Sequence, residues 1–215
     1  MKPGIEIIGV EVAAYPALVQ RLAGEPVEVG GATIAEGIAV RDIGEFPLSI
    51  IRDLVSDVVI VPERAIEQAI AMLAEGAKVI AEGAGAAALA AVLTYRERFQ
   101  GRRVGVPVCG GNIDSRILAN VLLRNLLRDG RLLRLRLEIP DRPGVLADIA
   151  GIIGGAGGNI IDVSHHRLFA APSVQSAGLE LMIEARDTAH GDAIVSALAA
   201  RYTVRRLAGE KSGVD

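Results

Sequence analysis

The sequence holds one cysteine, no tryptophan, and lysine only at positions 2, 78 and 211. A single thiol excludes a disulfide framework and any multi-thiolate zinc site, and it fits a reducing cytoplasm. Aromatic residues make up 3% of the chain, so the core must be built from Ala, Val, Ile and Leu. No apolar run reaches the roughly 18 residues of a membrane-spanning helix, and the first residues lack a signal-peptide pattern. The expectation is a cytoplasmic protein. Positive charge is not in excess either. A net charge of −3 argues against nucleic acid or an anionic membrane as the main partner. There is no G-x-G-x-x-G or Walker sequence, and no Ser/His/Asp constellation stands out. His165 and His166, adjacent on a predicted strand, point to opposite faces and cannot share one ion. With His190 they read as ordinary surface or cleft residues.

What is present is a chain of 215 residues, 51% hydrophobic and 23% charged. That is enough for one large domain or two small ones without staples. Many of its 25 glycines sit in clusters, at 83/85, 110/111, 154/155 and 157/158, where the backbone turns sharply or approaches something closely.

The first half alternates apolar strands with helical periodicity. Ile5–Val10, Asp57–Val61 and Val104–Val108 read as buried strands. Ala14–Leu22 and Ala84–Arg98 read as helices, and a third starts at Pro62 with Ile66, Ala69, Ile70 and Leu73 on one face. Such alternation implies a parallel sheet. After Asp129-Gly130 the period becomes two: Leu133, Leu135, Leu137 and Ile139 face inward, and Arg134, Arg136 and Glu138 outward. A helix with Val145, Leu146, Ile149, Ile152 and Ile153 follows. Then come a strand at 159–168, a strand with Leu179, Leu181, Ile183 and Ala185, a helix at 189–201 and a strand at 202–207. That βαββαβ order predicts a ferredoxin-like sandwich, with a domain boundary near residue 130.

Two glycine-rich turns draw attention. Cys109-Gly110-Gly111-Asn112 follows a predicted strand and precedes a helix capped by Asp114, the end of an open α/β sheet where ligands bind. Glu82-Gly83-Ala84-Gly85-Ala86 introduces another helix, where a carboxylate is favourable. Read from spacing alone, both also suit tight structural turns.

Together with Thr33-Ile34-Ala35-Glu36-Gly37-Ile38-Ala39-Val40, these turns resemble the TIADGIAV, EPSGA and SGGN stretches of threonine dehydratases (threonine ammonia-lyases). Asp141-Arg142-Pro143-Gly144-Val145-Leu146 resembles the entry to an ACT domain, the regulatory module fused behind some of these enzymes. The resemblance implies part of the parallel-sheet domain of a fold-type II pyridoxal-phosphate enzyme at residues 1–129, followed by a βαββαβ ACT domain at 131–208. It also implies a lyase that removes water and ammonia from L-threonine or L-serine to give a 2-oxo acid, as in isoleucine biosynthesis. Gly37 and Ile38 match the backbone along the pyridoxal phosphate ring, and Glu82 an acidic residue near it. Cys109, with Gly110, matches the position beside the pyridine nitrogen, where a neutral thiol stabilises a protonated ring less than a carboxylate would. Glu11 matches a glutamate that helps hold a cation in several relatives, although Ala17 replaces a common oxygen ligand.

The family's Schiff-base lysine and glycine-rich phosphate loop have no counterpart in this sequence, so the chain alone is expected to be inactive. An N-terminal catalytic half is then a possible partner. In the ACT segment, Asp141, Arg142, Gly144, Val145 and Leu146 are expected to offer free N–H groups to an amino-acid carboxylate. Asn159 and Ile160 are expected near the same edge. Exposed sheet edges suggest a homo-oligomer through this domain. A non-catalytic amino-acid-binding regulatory protein is the alternative function, and residues 1–128 are expected to be less stable than 131–208.

Overall fold

The computed structural model describes residues 4–166 and 176–207. Lys2, Lys211 and the predicted strand end at Leu168 lie outside them. The chain divides into two compact units, Met1–Val121 and Leu122–Asp215.

In the first unit, β1 (Ile8–Val12) pairs in parallel with β2 (Asp57–Val61), from Ile8 opposite Asp57 to Val12 opposite Val61. The connection carries α1 (Ala17–Ala23), a 3₁₀ turn at Glu36–Ile38 and α2 (Glu45–Leu54). Next come α3 (Glu63–Met72), whose chain continues through a π-turn at Leu73–Ala77, then α4 (Gly83–Thr94) and α5 (Arg96–Phe99). Val12, Val59 and Val61 pack with Ile66 and Ile70 of α3 and Ala86 and Ala90 of α4. Alanine-rich helices can approach closely, which offsets the scarcity of aromatics. α6 (Ser115–Arg128) starts at Asp114, whose Oδ1 accepts from the N–H groups of Arg116 and Ile117 at 2.9 and 3.2 Å.

Several expectations need correction here. The first strand begins three residues later than its apolar run, because Ile5 is 57% exposed and unpaired. The predicted helix to Arg98 breaks at Tyr95, which leaves helical geometry while its hydroxyl donates to the Ile60 carbonyl at 2.7 Å. Val104–Val108, read as a strand, belongs to no ladder among the described residues. α2 has no counterpart in the sequence reading. Its apolar residues Phe46, Ile50 and Leu54 are exposed, and only Leu48 is buried.

The second unit contains β3 (Leu132–Pro140), α7 (Val145–Gly155), β4 (Asn159–His166), β5 (Ser176–Glu184), α8 (Thr188–Ala199) and β6 (Thr203–Arg206). Its antiparallel sheet has the order β4-β5-β3-β6, the predicted split-βαβ arrangement. Leu133, Leu135, Leu137 and Ile139 join Leu179, Leu181 and Ile183 against Ile149 and Ile153 of α7 and Ile194 and Leu198 of α8. His190, expected at a surface or cleft, is instead buried. Its Nδ1 accepts from the Arg186 N–H at 3.1 Å, and its Nε2 pairs with the Ala156 carbonyl at 2.8 Å. It ties the start of α8 to the end of α7.

Candidate functional site

Three separate stretches of the first unit meet at its glycines. Glu63, in the first turn of α3, accepts from Thr33 Oγ1 at 2.7 Å and from the Ile34 N–H at 2.6 Å, and so fixes the 33–35 segment. The start of α4 lies hard against that segment. A Cβ at Gly83 would sit 2.2 Å from the Ile34 carbonyl oxygen, and one at Gly37 would sit 3.0 Å from the Ala84 Cβ. On α4's other side, a Cβ at Gly85 would fall 1.8 Å from the Cys109 carbonyl oxygen. Gly110, at φ +80°, would put a Cβ 1.9 Å from Glu82 Oε1, and the Glu82 N–H donates to the Gly110 carbonyl at 3.2 Å. Glycine is required at Gly83 and Gly85, where the added carbon would meet backbone, and is favoured at Gly110 by its positive φ. Gly37, Ile38, Glu82, Cys109 and Gly110 are thus gathered around the N-terminus of α4. The Glu82 carboxylate sits at the positive end of the helix dipole, and the Cys109 thiol is free and exposed.

Glu11 has another occupation. Its Oε1 accepts from the Leu18 N–H at 2.7 Å and its Oε2 from the Val19 N–H at 3.0 Å. Pro16, the residue at the cap position of α1, has no side chain able to do this. Glu11 therefore caps α1 from the neighbouring strand. Among the described residues no group of three His, Cys, Asp or Glu side chains could hold a metal ion. The one lysine among them, Lys78, donates to the Glu75 carbonyl at 2.8 Å.

In the second unit, the turn after Pro140 ends at Gly144, which has φ +88° and precedes α7 without a side-chain cap. The Val145 side chain enters the core and Leu146 is exposed. Arg142 lies electrostatically close to Asp148. Asp148 accepts from Tyr202 Oη and Arg201 Nη1, each at 2.7 Å, and these donors, Tyr202 foremost, hold its carboxyl below the usual range. Asn159 and Ile160 are not near this turn. Leu132 of β3 lies opposite Glu184 of β5, which lies opposite Asn159 of β4, whereas Pro140 lies opposite Ser176. The turn and Asn159 therefore sit at opposite ends of the sheet, separated by most of the nine-residue length of β3, about 26 Å at the usual rise. The cause is α7, which carries the chain back along the sheet. The Asn159 Nδ2 donates to Glu184 Oε2 at 3.3 Å.

Sequence reasoning missed Glu63, the residue that pins the 33–35 segment. Its signal was an acidic residue directly after the predicted helix-starting Pro62.

Residues 1–110 match the family described as pyridoxal-phosphate dependent enzyme, and residues 133–201 match the ACT domain. The chain is 35% identical to an L-threonine ammonia-lyase of Thermotoga maritima over 95% of its own length and 52% of the relative's. An L-threonine ammonia-lyase of Geobacter sulfurreducens is 38% identical over 91% of this chain and 49% of its own. The chain thus spans about half the length of the curated relatives it matches. The solved structure of the processed form of threonine deaminase isoform 2 from Solanum lycopersicum superposes with a TM-score of 0.52 at 27% identity, covering 59% of this chain and 36% of that one. With the two matches in chain order, this chain belongs to the pyridoxal-phosphate dependent enzymes and carries an ACT domain behind its share of that fold.

Proposed function

We propose that this chain contributes one wall of the active site of a threonine or serine ammonia-lyase, whose ACT domain takes an amino-acid effector. The observation that carries the reading is the convergence of Gly37, Glu82, Cys109 and Gly110 at the start of α4, where a Cβ at Gly85 would meet the Cys109 carbonyl oxygen at 1.8 Å. Pyridoxal phosphate, the family's cofactor, supplies an electron sink when bound. The residues present fit one side of that group. The backbone at Gly37 and Ile38 would lie along the ring, the Cys109 thiol would face the ring nitrogen, and Glu82 would hold the Gly110 turn in place. The one lysine among the described residues, Lys78, donates to the Glu75 carbonyl at a helix end and is not read as the attaching amine.

The chain by itself is therefore expected to produce no 2-oxo acid from threonine or serine. A chimera in which this chain replaces the matched 209 residues of the T. maritima enzyme is expected to do so. A chimera that folds and takes up pyridoxal phosphate yet eliminates water and ammonia from neither amino acid would overturn the proposal. For the effector, the uncapped start of α7 offers N–H groups to a carboxylate. A ligand that touches both this turn and Asn159 must lie between two copies of the ACT unit, because one copy places them at opposite ends.

A further inference from the structure

The second unit holds a pocket of about 240 Å³ to which neither the Gly144 turn nor Asn159 contributes. Its origin is a break in the pattern of β3. Strand alternation puts Leu132 on the face of Arg134 and Arg136, away from the packed core, yet Leu132 is only 3% exposed. Leu123 and Leu127, near the end of α6, line the same pocket as Leu132 and give it an apolar wall. The outer face of the sheet, which carries Arg136, Glu138 and Glu180 further along, is therefore apolar at this end.

The floor is a single row across the strands. Met182 of β5 lies opposite Arg134 of β3 on one side and Asp162 of β4 on the other. Beyond Arg134 comes Leu207, whose N–H donates to the Arg134 carbonyl at 2.8 Å. Arg134 thus has apolar neighbours on both flanks, and among the described residues its guanidinium joins no ion pair. Asp162 stands two strand spacings away, about 9.6 Å. Its Oδ1 accepts from the Val163 N–H of its own strand at 2.9 Å. Glu180, one pair further along β5, also lines the pocket and lies 3.8 Å from Arg136. A cation on one side, carboxylates on the other and leucines along the wall call for a ligand with both signs of charge and an apolar body. An inorganic anion or a simple amine would satisfy one side only.

We infer that this pocket binds one free α-amino acid with an apolar side chain. The Arg134 guanidinium takes the carboxylate as a fork. Asp162 and Glu180 take the ammonium, and the side chain lies against Leu123, Leu127 and Leu132. The volume falls below the roughly 300–1,000 Å³ of pockets for drug-sized ligands, which suits a molecule of this size. This is a second amino-acid site, contained in one copy of the chain and separate from the effector turn. It does not depend on the reaction proposed for the first unit.

The test is calorimetric titration of the 215-residue chain with L-valine, L-leucine, L-isoleucine and L-methionine. Isocaproate and isoamylamine, which each lack one of leucine's two charges, serve as controls. At least one of the amino acids is expected to bind, and both controls at least about tenfold more weakly. Arg134→Gln and Asp162→Asn are each expected to weaken that binding by at least about tenfold. Urea unfolding should stay as in the parent, since neither side chain joins an ion pair among the described residues. Asn159→Ala is expected to leave the binding unchanged. Binding of unaltered stoichiometry and strength in Arg134→Gln would overturn the inference. If Asn159→Ala abolished that binding, the ligand would belong to the effector turn, and the effector reading would stand without this site. A dissociation constant above about 1 mM for all four amino acids, or a control that binds as tightly as the best of them, would overturn the inference as well.

Discussion

Replacing Gly85 by alanine is the same chemical change as replacing Gly151, yet the structure sets opposite signs for the two. Both positions lie inside helices, α4 and α7. Alanine in place of glycine there should gain about 0.4–1 kcal/mol by restricting the unfolded chain. At Gly151 nothing lies within 4 Å of the added carbon, so the gain stands alone. At Gly85 the carbon would sit 1.8 Å from the Cys109 carbonyl oxygen and 2.9 Å from the Gly110 carbonyl oxygen. These are backbone atoms that no rotamer change can move aside. Overpacking of this kind costs about 1–3 kcal/mol. The upper end applies because the contact must open by more than an ångström, so the net loss after the helix gain is about 2 kcal/mol. Amide exchange in α4 should then quicken about 30-fold in Gly85→Ala, while that in α7 should slow by severalfold in Gly151→Ala. If Gly85→Ala leaves α4 as protected as before, the 109–110 segment is not seated on α4 as described, and the cradle falls with it.

Three further predictions follow from single contacts. Glu11→Ala should cost about 0.5–2 kcal/mol through loss of the α1 cap, seen as faster exchange in α1 and equal in size with or without added cations. His190→Ala leaves the Ala156 carbonyl and the Arg186 N–H without their partner, so the ACT unit should lose about 1–3 kcal/mol in urea unfolding. Tyr202 and Arg201 lower the Asp148 carboxyl below its unfolded value of 3.8. Its contribution is thus present above that pH and disappears as the pH falls through the lower folded value. Asp148→Asn should flatten the loss of ACT-unit stability below pH 4, and an unchanged acid limb would refute the assignment.

The second unit was almost fully legible in the sequence because strict period-two patterning on β3 and β5 fixes which face is buried, and every inward residue named there is in the core. The first unit was less so. Val104–Val108 has the composition of an interior strand, but a strand also needs neighbours, and composition cannot reveal that a ladder is missing. α2 went unread although Phe46, Ile50 and Leu54 recur at helical spacing, and that apolar stripe is exposed rather than turned to the core. Among the site residues, the glycine motifs announced close approaches without saying what approaches what. The collision distances join Glu82 to Gly110, and Gly85 to Cys109. Asn159 was misplaced because proximity after a turn was judged along the chain, while an eleven-residue helix had moved the next strand's start to the far end.

That reversal by α7 has a consequence for measurement. If an effector bridges the Gly144 turn of one copy and Asn159 of another, its binding is a three-body event. Its apparent affinity then depends on how much protein is present. Titrations at low protein concentration would report weak binding and those at high concentration tight binding, with no change in any contact. The ligand would in turn draw copies together by the same free energy, so that effector supply and assembly state become two readings of one equilibrium.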